Sequence, residues 1–183
     1  MIVCAGKNET FSFAFPIGVG LIESAINLTR LALLDKPEFL LFIGTAGSYG
    51  RYKIFDIIES TIASNIEISF FKGESYTPID NVIESSGFNV SHETFKNVIV
   101  NSSNYICTDF NIAKAYLKHH IEIENMEFYS VVSVAKEFEI PVKGVFAVTN
   151  YTNKNAHNDY IKNYSKAKEI LINYLKKELK IIK

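Results

Sequence analysis

Three segments of the chain place small and polar residues directly after apolar runs: residues 6–9 (GKNE), 44–48 (GTAGS) and 149–153 (TNYTN). Ligands of open α/β sheets bind where loops leave the carboxyl ends of strands, and backbone N–H groups beside a glycine can approach an anion or a sugar closely. The three segments therefore predict a polar ligand site. GTAGS lacks the spacing of known phosphate-binding loops, so taken alone it indicates a tight strand-to-loop turn.

A fourth segment, Glu124-Asn125-Met126-Glu127, precedes an apolar helical pattern. The helix dipole stabilises a carboxylate at this position, so capping alone can explain Glu127, and Asn125 can itself be the N-cap. A carboxylate can also accept hydrogen bonds from both hydroxyls of a vicinal diol. The residues by themselves favour a cap, with sugar binding as the alternative.

Hydrophobic periodicity predicts the elements that must position these residues. Continuous apolar runs typical of doubly buried strands cover residues 1–5, 39–43 and 144–148. Further strands are expected at 54–63, 65–71, 96–100 and 104–107, and helices at 21–34, 111–119, 126–138 and 160–182. Strands that alternate with helices in this way predict a layered α/β domain with parallel strands.

Composition and charge narrow the class of protein. The 183 residues are 48% hydrophobic and show no repeat or long linker, which is typical of one domain with one continuous core. A net charge of −1 does not favour nucleic-acid binding. Cys4 and Cys107 lack metal-ligand spacing, so we expect inert core thiols and no metal. Without a signal-like start or an apolar run of about 20 residues, a cytoplasmic protein away from membranes is expected.

The ordered motifs resemble the purine nucleoside phosphorylase and nucleosidase family. IGTAGS and the later NMEFYSVVSVAKEFEIPVKGVFAVTN are similar to the family's GTAG or GSAG loop, VEMEAAA helix start, G(I/V)P turn and strand ending in Ser-Asp, here Thr149-Asn150. GVGLIESAINLTRLALLDKPEFLLFIGTAG is similar to the block before that loop. The resemblance covers residues 17–47 and 108–151 and implies a shortened member of the family. Its fold would be a single-domain, three-layer α/β/α structure with a mixed central sheet over residues 1–183.

The resemblance implies a purine nucleoside site. Met126 would pack on the ribose and Glu127 would hold its 2′- and 3′-hydroxyls beside Asn125, which moves the balance for Glu127 from cap to function. Asn150 stands where the family has an acid that assists departure of the base at N7. An amide can donate a hydrogen bond there but no proton. One branch of the family carries asparagine in its base site, and by analogy 6-oxopurines are favoured.

The other side of the substrate would meet the two glycine-containing segments. The resemblance implies that Gly6, Lys7, Gly44 and Thr45 bind phosphate, although Lys7 is equally typical of a solvated loop. Glu9 lies where nucleosidases carry a carboxylate that orients water.

Further contacts with the base and sugar are implied at three positions. Ala46 and Gly47 would lie against the substrate, and Phe110 would stack on the base or belong to the core. Asn111 occupies the family's aromatic position itself. His157 and Asp159 can approach the base loop but are more typical of surface groups.

Phosphorolysis of a purine nucleoside to the base and ribose 1-phosphate is the leading prediction, with Asn150 and Glu127 as catalytic residues. Inorganic phosphate would be a co-substrate, and no cofactor is expected. Hydrolysis of a purine nucleoside or a methylthioadenosine-like substrate is the alternative, because Phe42 replaces an arginine of the hexamer-forming phosphorylases that nucleosidases also lack. A non-catalytic nucleoside-binding protein is the second alternative, motivated by Asn150, Asn111 and Phe42. A homo-oligomer (dimer, trimer or hexamer) is expected.

Overall fold

The computed structural model describes residues 1–87, 98–177 and 180. Within them, nine strands form one sheet with five helices around it. In chain order the elements are β1 (Ile2–Cys4), β2 (Phe15–Pro16), α1 (Gly20–Asp35), β3 (Leu40–Ser48), β4 (Ile57–Ser60), β5 (Ile62–Ser64), α2 (Ile68–Phe71), β6 (Val82–Glu84), β7 (Ile99–Ser102), α3 (Phe110–Lys118), β8 (Ile121–Asn125), α4 (Phe128–Glu137), β9 (Val142–Tyr151) and α5 (Ala156–Lys177).

The long strand β3 organises the sheet. One edge of β3 pairs in parallel with β9 along its whole length. On the other edge, β1 pairs in parallel with residues 41–43, and β8 pairs antiparallel with Gly47 and Ser48. Among the described strands, none pairs with that edge at residues 44–46. The sheet is therefore mixed, and β3 has a short open edge between the end of β1 and the end of β8.

Side chains of β3 alternate between two cores, as the period of two in a strand requires. Leu40 and Phe42 pack with apolar residues of α1 and α4 on one face of the sheet. Leu41 and Ile43 pack on the other face with residues of α5. Burial of each such side chain contributes about 1.5–3 kcal/mol. Helices on both faces of a mixed sheet confirm the predicted three-layer α/β/α fold in a single domain.

A cluster of aromatic rings fixes the face that carries α4. The ring of Phe42 lies 5.9 Å from that of Phe128 and 5.8 Å from that of Phe146, measured between centroids. A Cβ atom on Gly144 would lie 2.5 Å from the Phe146 ring, so the close approach of these rings requires glycine there. Phe42, at the position where some phosphorylases carry arginine, is therefore a fully buried core residue.

Several local predictions are wrong. Residues 44–48 are not a turn but the second half of β3, because β9 supplies backbone partners to the end of the strand. Residues 65–71, predicted as a strand, contain the short helix α2, and residues 104–107 contain no strand. The segment 54–63 is divided between β4 and β5 at Thr61. The strand β8, which ends at Asn125, was not predicted.

Other boundaries shift by a few residues. The predicted strand 96–100 corresponds to β7, which begins at Ile99, and residues 96 and 97 lie outside the described part. The final helix begins at Ala156, earlier than predicted, and most of residues 178–182 lie outside the described part as well. No described helix has the length and apolar character needed to cross a bilayer. Cys4 and Cys107 are buried free thiols, and burial raises the pKa of Cys107 to about 11.

Candidate active site

A cavity of about 370 Å³ opens beside the unpaired edge of β3. Its wall is built from residues 5–9 after β1, residues 45–47 of β3, residues 124–127 between β8 and α4, and residues 149–150 of β9. The first turn of α5 completes it, together with Val19, Ser103, Tyr105, Ile106 and Thr108. The structure therefore brings the predicted segments around Thr45, Met126-Glu127 and Asn150 to one cavity.

The turn after β1 carries a carboxylate to the open edge of β3. The N–H of Gly6 donates to the carbonyl of Glu9 (3.2 Å) and the N–H of Glu9 donates to the carbonyl of Gly6 (2.9 Å), which closes a tight turn with Lys7 at φ +52°. The Glu9 carboxylate then accepts hydrogen bonds from the Thr45 N–H (3.3 Å) and the Thr45 hydroxyl. Burial raises the pKa of Glu9, and the two bonds from Thr45 oppose that rise.

The predicted phosphate ligands are thus only partly available. Both donors of Thr45 are occupied by Glu9, and an additional anion at this point would be repelled by the carboxylate. Gly44 lies outside the cavity wall, while Gly6 and Lys7 are part of it. Among the described residues of the wall, Lys7 is the only lysine or arginine.

The Glu127 carboxylate faces the cavity because another residue caps its helix. The Asn125 Oδ1 atom accepts hydrogen bonds from the N–H groups of Glu127 (2.7 Å) and Phe128 (2.8 Å), so Asn125 takes over the capping role. The Glu127 side chain makes no cap bond to its own helix. Instead it accepts hydrogen bonds from the Gly20 N–H at the start of α1 (2.9 Å) and from Asn125 Nδ2 (2.9 Å).

Burial dominates the electrostatics of Glu127. Glu127 is 3% exposed, and the loss of solvation on burial raises the pKa of its carboxyl group to about 7. The Gly20 N–H lowers the pKa and the nearby Glu9 charge raises it further. Met126, the next residue back along the chain, is partly buried and lines the same wall. A carboxylate with this exposure to the cavity can accept hydrogen bonds from sugar hydroxyls.

A β-bulge turns Asn150 towards the cavity. Ala46 pairs with Val148, but Gly47 pairs with Asn150, so Thr149 is an extra residue in β9. The Thr149 hydroxyl donates to the Asn150 Oδ1 atom (2.8 Å), which fixes the amide with its NH₂ group on the opposite side. Asn150 is 6% exposed and lines the cavity.

A second carboxyl, Glu124, lies near Asn150. A Cβ atom on Gly47 would lie 3.1 Å from Asn150 Nδ2 and 3.2 Å from Glu124 Cγ, so the two side chains flank the same glycine. Glu124 Oε2 accepts a hydrogen bond from the Tyr49 hydroxyl (3.0 Å), and the carboxylate also accepts from the Cys107 N–H (3.2 Å). Burial raises the pKa of Glu124 to about 7, because these two bonds offset only part of the desolvation.

Comparison with solved structures identifies the fold. The chain matches no protein-family profile and no curated protein. Among solved structures it is similar to Helicobacter pylori 5′-methylthioadenosine/S-adenosylhomocysteine nucleosidase, with 18% identity over 91% of this chain and 78% of that one, and a TM-score of 0.75. A futalosine hydrolase of the same organism aligns with 17% identity over 91% and 78% of the two chains, at a TM-score of 0.75. The Neisseria meningitidis 5′-methylthioadenosine/S-adenosylhomocysteine nucleosidase aligns with 13% identity over 92% and 93%, at a TM-score of 0.73.

The chain has the nucleoside phosphorylase/nucleosidase fold. The predicted resemblance is therefore confirmed at the level of structure. The similar structures named above are nucleosidases or hydrolases, and at identities of 13–18% they show the fold that this chain shares with them.

Phe110 is a predicted base contact that lies away from the cavity. It is the first residue of α3, is 59% exposed, lies outside the cavity wall, and has the Lys114 ammonium 4.5 Å from its ring centroid. Tyr105 and Ile106, in the loop before α3, line the cavity instead. Asn111 follows Phe110 on the helix and is also outside the wall.

Three of the remaining predicted residues reach the cavity. Ala46 and Gly47 line it from β3, and His157 lines it from the exposed first turn of α5. Asp159 is not part of the wall. Among described residues, no group of three or more His, Cys, Asp or Glu side chains could hold a metal ion.

Several wall residues were missed from the sequence, and Tyr160 and Glu124 are two of them. Tyr160 of α5 lines the cavity, and burial together with the negative charge of Glu9 raises the pKa of its hydroxyl. Glu124 was noticed only as part of a segment before a helix. The alternation of isoleucine and glutamate over residues 121–124 is a strand signal that would have placed Glu124 at a strand end.

Proposed function

We propose that the protein hydrolyses the N-glycosidic bond of a purine nucleoside, releasing the free base and the sugar. The observation that carries the proposal is the Glu9 carboxylate, which occupies both donors of Thr45 where the family resemblance would put phosphate. The similarity to structures of nucleosidases and a hydrolase supports the same reaction.

Glu9 is the base in this reaction. Its carboxylate is held on Thr45 by two hydrogen bonds, and its raised pKa makes it a better proton acceptor than an exposed glutamate. Water that attacks the anomeric carbon gives up a proton, and a carboxylate beside the sugar can accept it. A correctly placed base of this kind contributes a rate factor of about 10²–10⁴.

Glu127 holds the ribose in the same reaction. It is the buried carboxylate nearest to Met126, and each of its oxygens already accepts one hydrogen bond, from Gly20 and from Asn125. A carboxylate oxygen has a second lone pair, so each can also accept one hydroxyl of a 2′,3′-diol. Fixing the sugar this way orients the anomeric carbon towards Glu9.

The Asn150 amide faces the base, and its fixed orientation supports the expected preference for 6-oxopurines. Thr149 donates to Oδ1, and Nδ2 donates to the Tyr151 carbonyl at 3.2 Å, so the second N–H of the amide is the group left for a ligand. A 6-oxopurine offers two acceptors along one edge, N7 and O6, whereas adenine offers N7 beside an amino donor. An NH₂ group therefore matches inosine or guanosine better than adenosine.

The proposal is tested by measuring base release from inosine, guanosine, adenosine and 5′-methylthioadenosine, with and without inorganic phosphate. We expect the same rate in both conditions, with free sugar as the second product. Release that requires phosphate and yields a sugar 1-phosphate would establish phosphorolysis instead.

A nucleoside-binding protein without activity is the second candidate, and Asn150 is the observation that favours it. An amide cannot protonate the leaving base. Saturable calorimetric binding of a nucleoside, combined with no base release from any of the four, would decide for this candidate.

A further inference from the structure

The proposed hydrolysis leaves one chemical requirement unmet by Asn150. When the bond between C1′ and N9 breaks, its electron pair stays on the purine, and the base leaves as an anion unless a ring nitrogen is protonated. Asn150 can stabilise that charge by a hydrogen bond but has no proton to transfer. A proton donor at the base end of the cavity would supply what is missing.

Glu124 is a carboxyl group at that end. It is 8% exposed, lines the cavity, and shares with Asn150 the contact with Gly47 that marks the base side. The two other carboxyls of the wall face the sugar side, where Glu9 is bound to Thr45 and Glu127 to the start of α1.

The surroundings of Glu124 allow both its protonated and its charged form. It faces the Tyr49 hydroxyl after β3, the Cys107 N–H and thiol in the loop before α3, and the Tyr116 hydroxyl of α3. These groups are uncharged at neutral pH, since burial raises the pKa of both tyrosines and that of Cys107. Burial also raises the pKa of Glu124 to about 7, so the protonated form is available near neutral pH.

Resting on the hydrolytic function above, we propose that Glu124 is the proton donor to the departing purine. The Glu124 carboxyl gives its proton to N7 as the C1′–N9 bond breaks, and the electron pair of that bond neutralises the protonated ring. Water adds its oxygen to C1′ and loses a proton to Glu9. The products are the neutral base, the free sugar, a Glu124 carboxylate and a protonated Glu9, and exchange with solvent restores both carboxyls.

His157 is the competing donor. It lines the cavity, but from the exposed first turn of α5, where its imidazole meets bulk solvent. Glu124 is buried beside the amide that faces the base. Since a general acid acts within hydrogen-bond reach of the atom it protonates, position favours Glu124.

The test compares wild type with Glu124→Gln and with a matched control, Glu122→Gln, which makes the same change two residues earlier on β8 outside the cavity wall. Rates are measured against pH on whichever nucleoside wild type hydrolyses best and on the N7-methylated form of that nucleoside. The methylated base is already cationic and leaves without a proton.

We expect Glu124→Gln to lower kcat on the ordinary nucleoside about 10²–10⁴-fold with little change in KM. It should also abolish the fall in wild-type kcat above about pH 7, which follows loss of the Glu124 proton. The methylated nucleoside should be hydrolysed at nearly the wild-type rate, which shows that the variant is folded. Adding Asn150→Asp to Glu124→Gln should restore activity on the ordinary nucleoside, and Glu122→Gln should keep the alkaline fall.

Three results would overturn the inference while leaving hydrolysis intact: an equal loss on both nucleosides, a change confined to KM, or an alkaline fall that persists in Glu124→Gln and disappears in His157→Asn. If wild type releases no base from any nucleoside, the methylated ones included, hydrolysis itself is wrong and the inference falls with it.

Discussion

Replacing Glu127 by glutamine should stabilise the free protein at alkaline pH while damaging its activity. The carboxyl has a pKa of about 7 in the folded protein against 4.5 for an exposed glutamate. A tenfold change in a protonation equilibrium is worth about 1.4 kcal/mol, so the charged carboxylate costs about 3 kcal/mol of folding free energy above pH 7. Glutamine carries no charge and avoids this cost.

The hydrogen bonds of Glu127 oppose this stabilisation by a smaller amount. Glutamine can still accept from the Gly20 N–H, but its own NH₂ group would then face Asn125 Nδ2, a second donor. Asn125 cannot turn over, because its Oδ1 atom caps α4. One lost hydrogen bond costs about 1 kcal/mol, which leaves a net gain of about 2 kcal/mol for Glu127→Gln.

The sign of the pH dependence follows from the raised pKa. The folded state holds the Glu127 proton more tightly than the unfolded state, so this group favours folding fully below pH 4.5 and progressively less as pH rises to about 7. Urea unfolding should therefore show Glu127→Gln more stable than wild type by about 2 kcal/mol near pH 8, and equal to it near pH 5. Titrating groups that do not interact with Glu127, Glu124 among them, are present in both proteins and cancel in the difference.

Base release by Glu127→Gln should fall at least tenfold, about 1.4 kcal/mol, because a neutral amide accepts sugar hydroxyls less strongly. Glu137→Gln, an exposed change at the end of the same helix, should alter neither stability nor activity. Equal destabilisation of Glu127→Gln at both pH values would refute the argument that burial holds the pKa high. Wild-type kinetics in this variant would remove Glu127 from the sugar site.

Three further predictions follow from the contacts. Glu9→Gln should lower phosphate-independent base release by about 10²–10⁴-fold in steady-state assays, because an amide cannot accept the proton of water. Tyr49→Phe should move the alkaline fall of kcat to higher pH, because it removes a hydrogen bond that lowers the pKa of Glu124 in wild type; an unmoved profile would contradict this. Lys143→Met should lower the free energy of unfolding, measured in urea, by about 3–5 kcal/mol, since it removes the cation 3.3 Å from the buried Glu59 carboxylate. Activity under folding conditions should persist, because neither residue lines the cavity.

The layers of the fold could be predicted because their signals are local. The apolar runs in β3 and β9 and the helical periodicity of α1, α4 and α5 are each legible within one segment. The errors lie where a distant segment decides the conformation. Residues 44–48 continue β3 because β9 pairs with them, a partner about a hundred residues away that local periodicity does not reveal. The turn-like composition of residues 44–48 therefore predicted the wrong conformation, although the segment does lie at the cavity.

The site was predictable to the level of segments and not to the level of contacts. The rule that ligands gather at strand ends selected the segments of Thr45 and Asn150. The residues alone left Glu127 open between a cap and sugar binding, and the family resemblance favoured sugar binding and added Met126. The bond between Glu9 and Thr45 joins residues 36 positions apart, and their spacing alone gives no sign of it. Because of that contact, the Glu9 carboxylate occupies the Thr45 donors that were predicted to bind phosphate.

The open edge of β3 explains why chemistry concentrates at Thr45. A strand in the middle of a sheet normally has both backbone groups of each residue bonded to neighbouring strands, but here β1 has ended and β8 has not yet begun. The free N–H of Thr45 binds Glu9, and the free carbonyl accepts from Asn125 Nδ2 at 3.4 Å. The backbone of Thr45 thus connects Glu9, the proposed base, with Asn125, which donates a hydrogen bond to Glu127. Since both ties use backbone atoms, their geometry depends on the sheet register, and substitution of the Thr45 side chain leaves them in place.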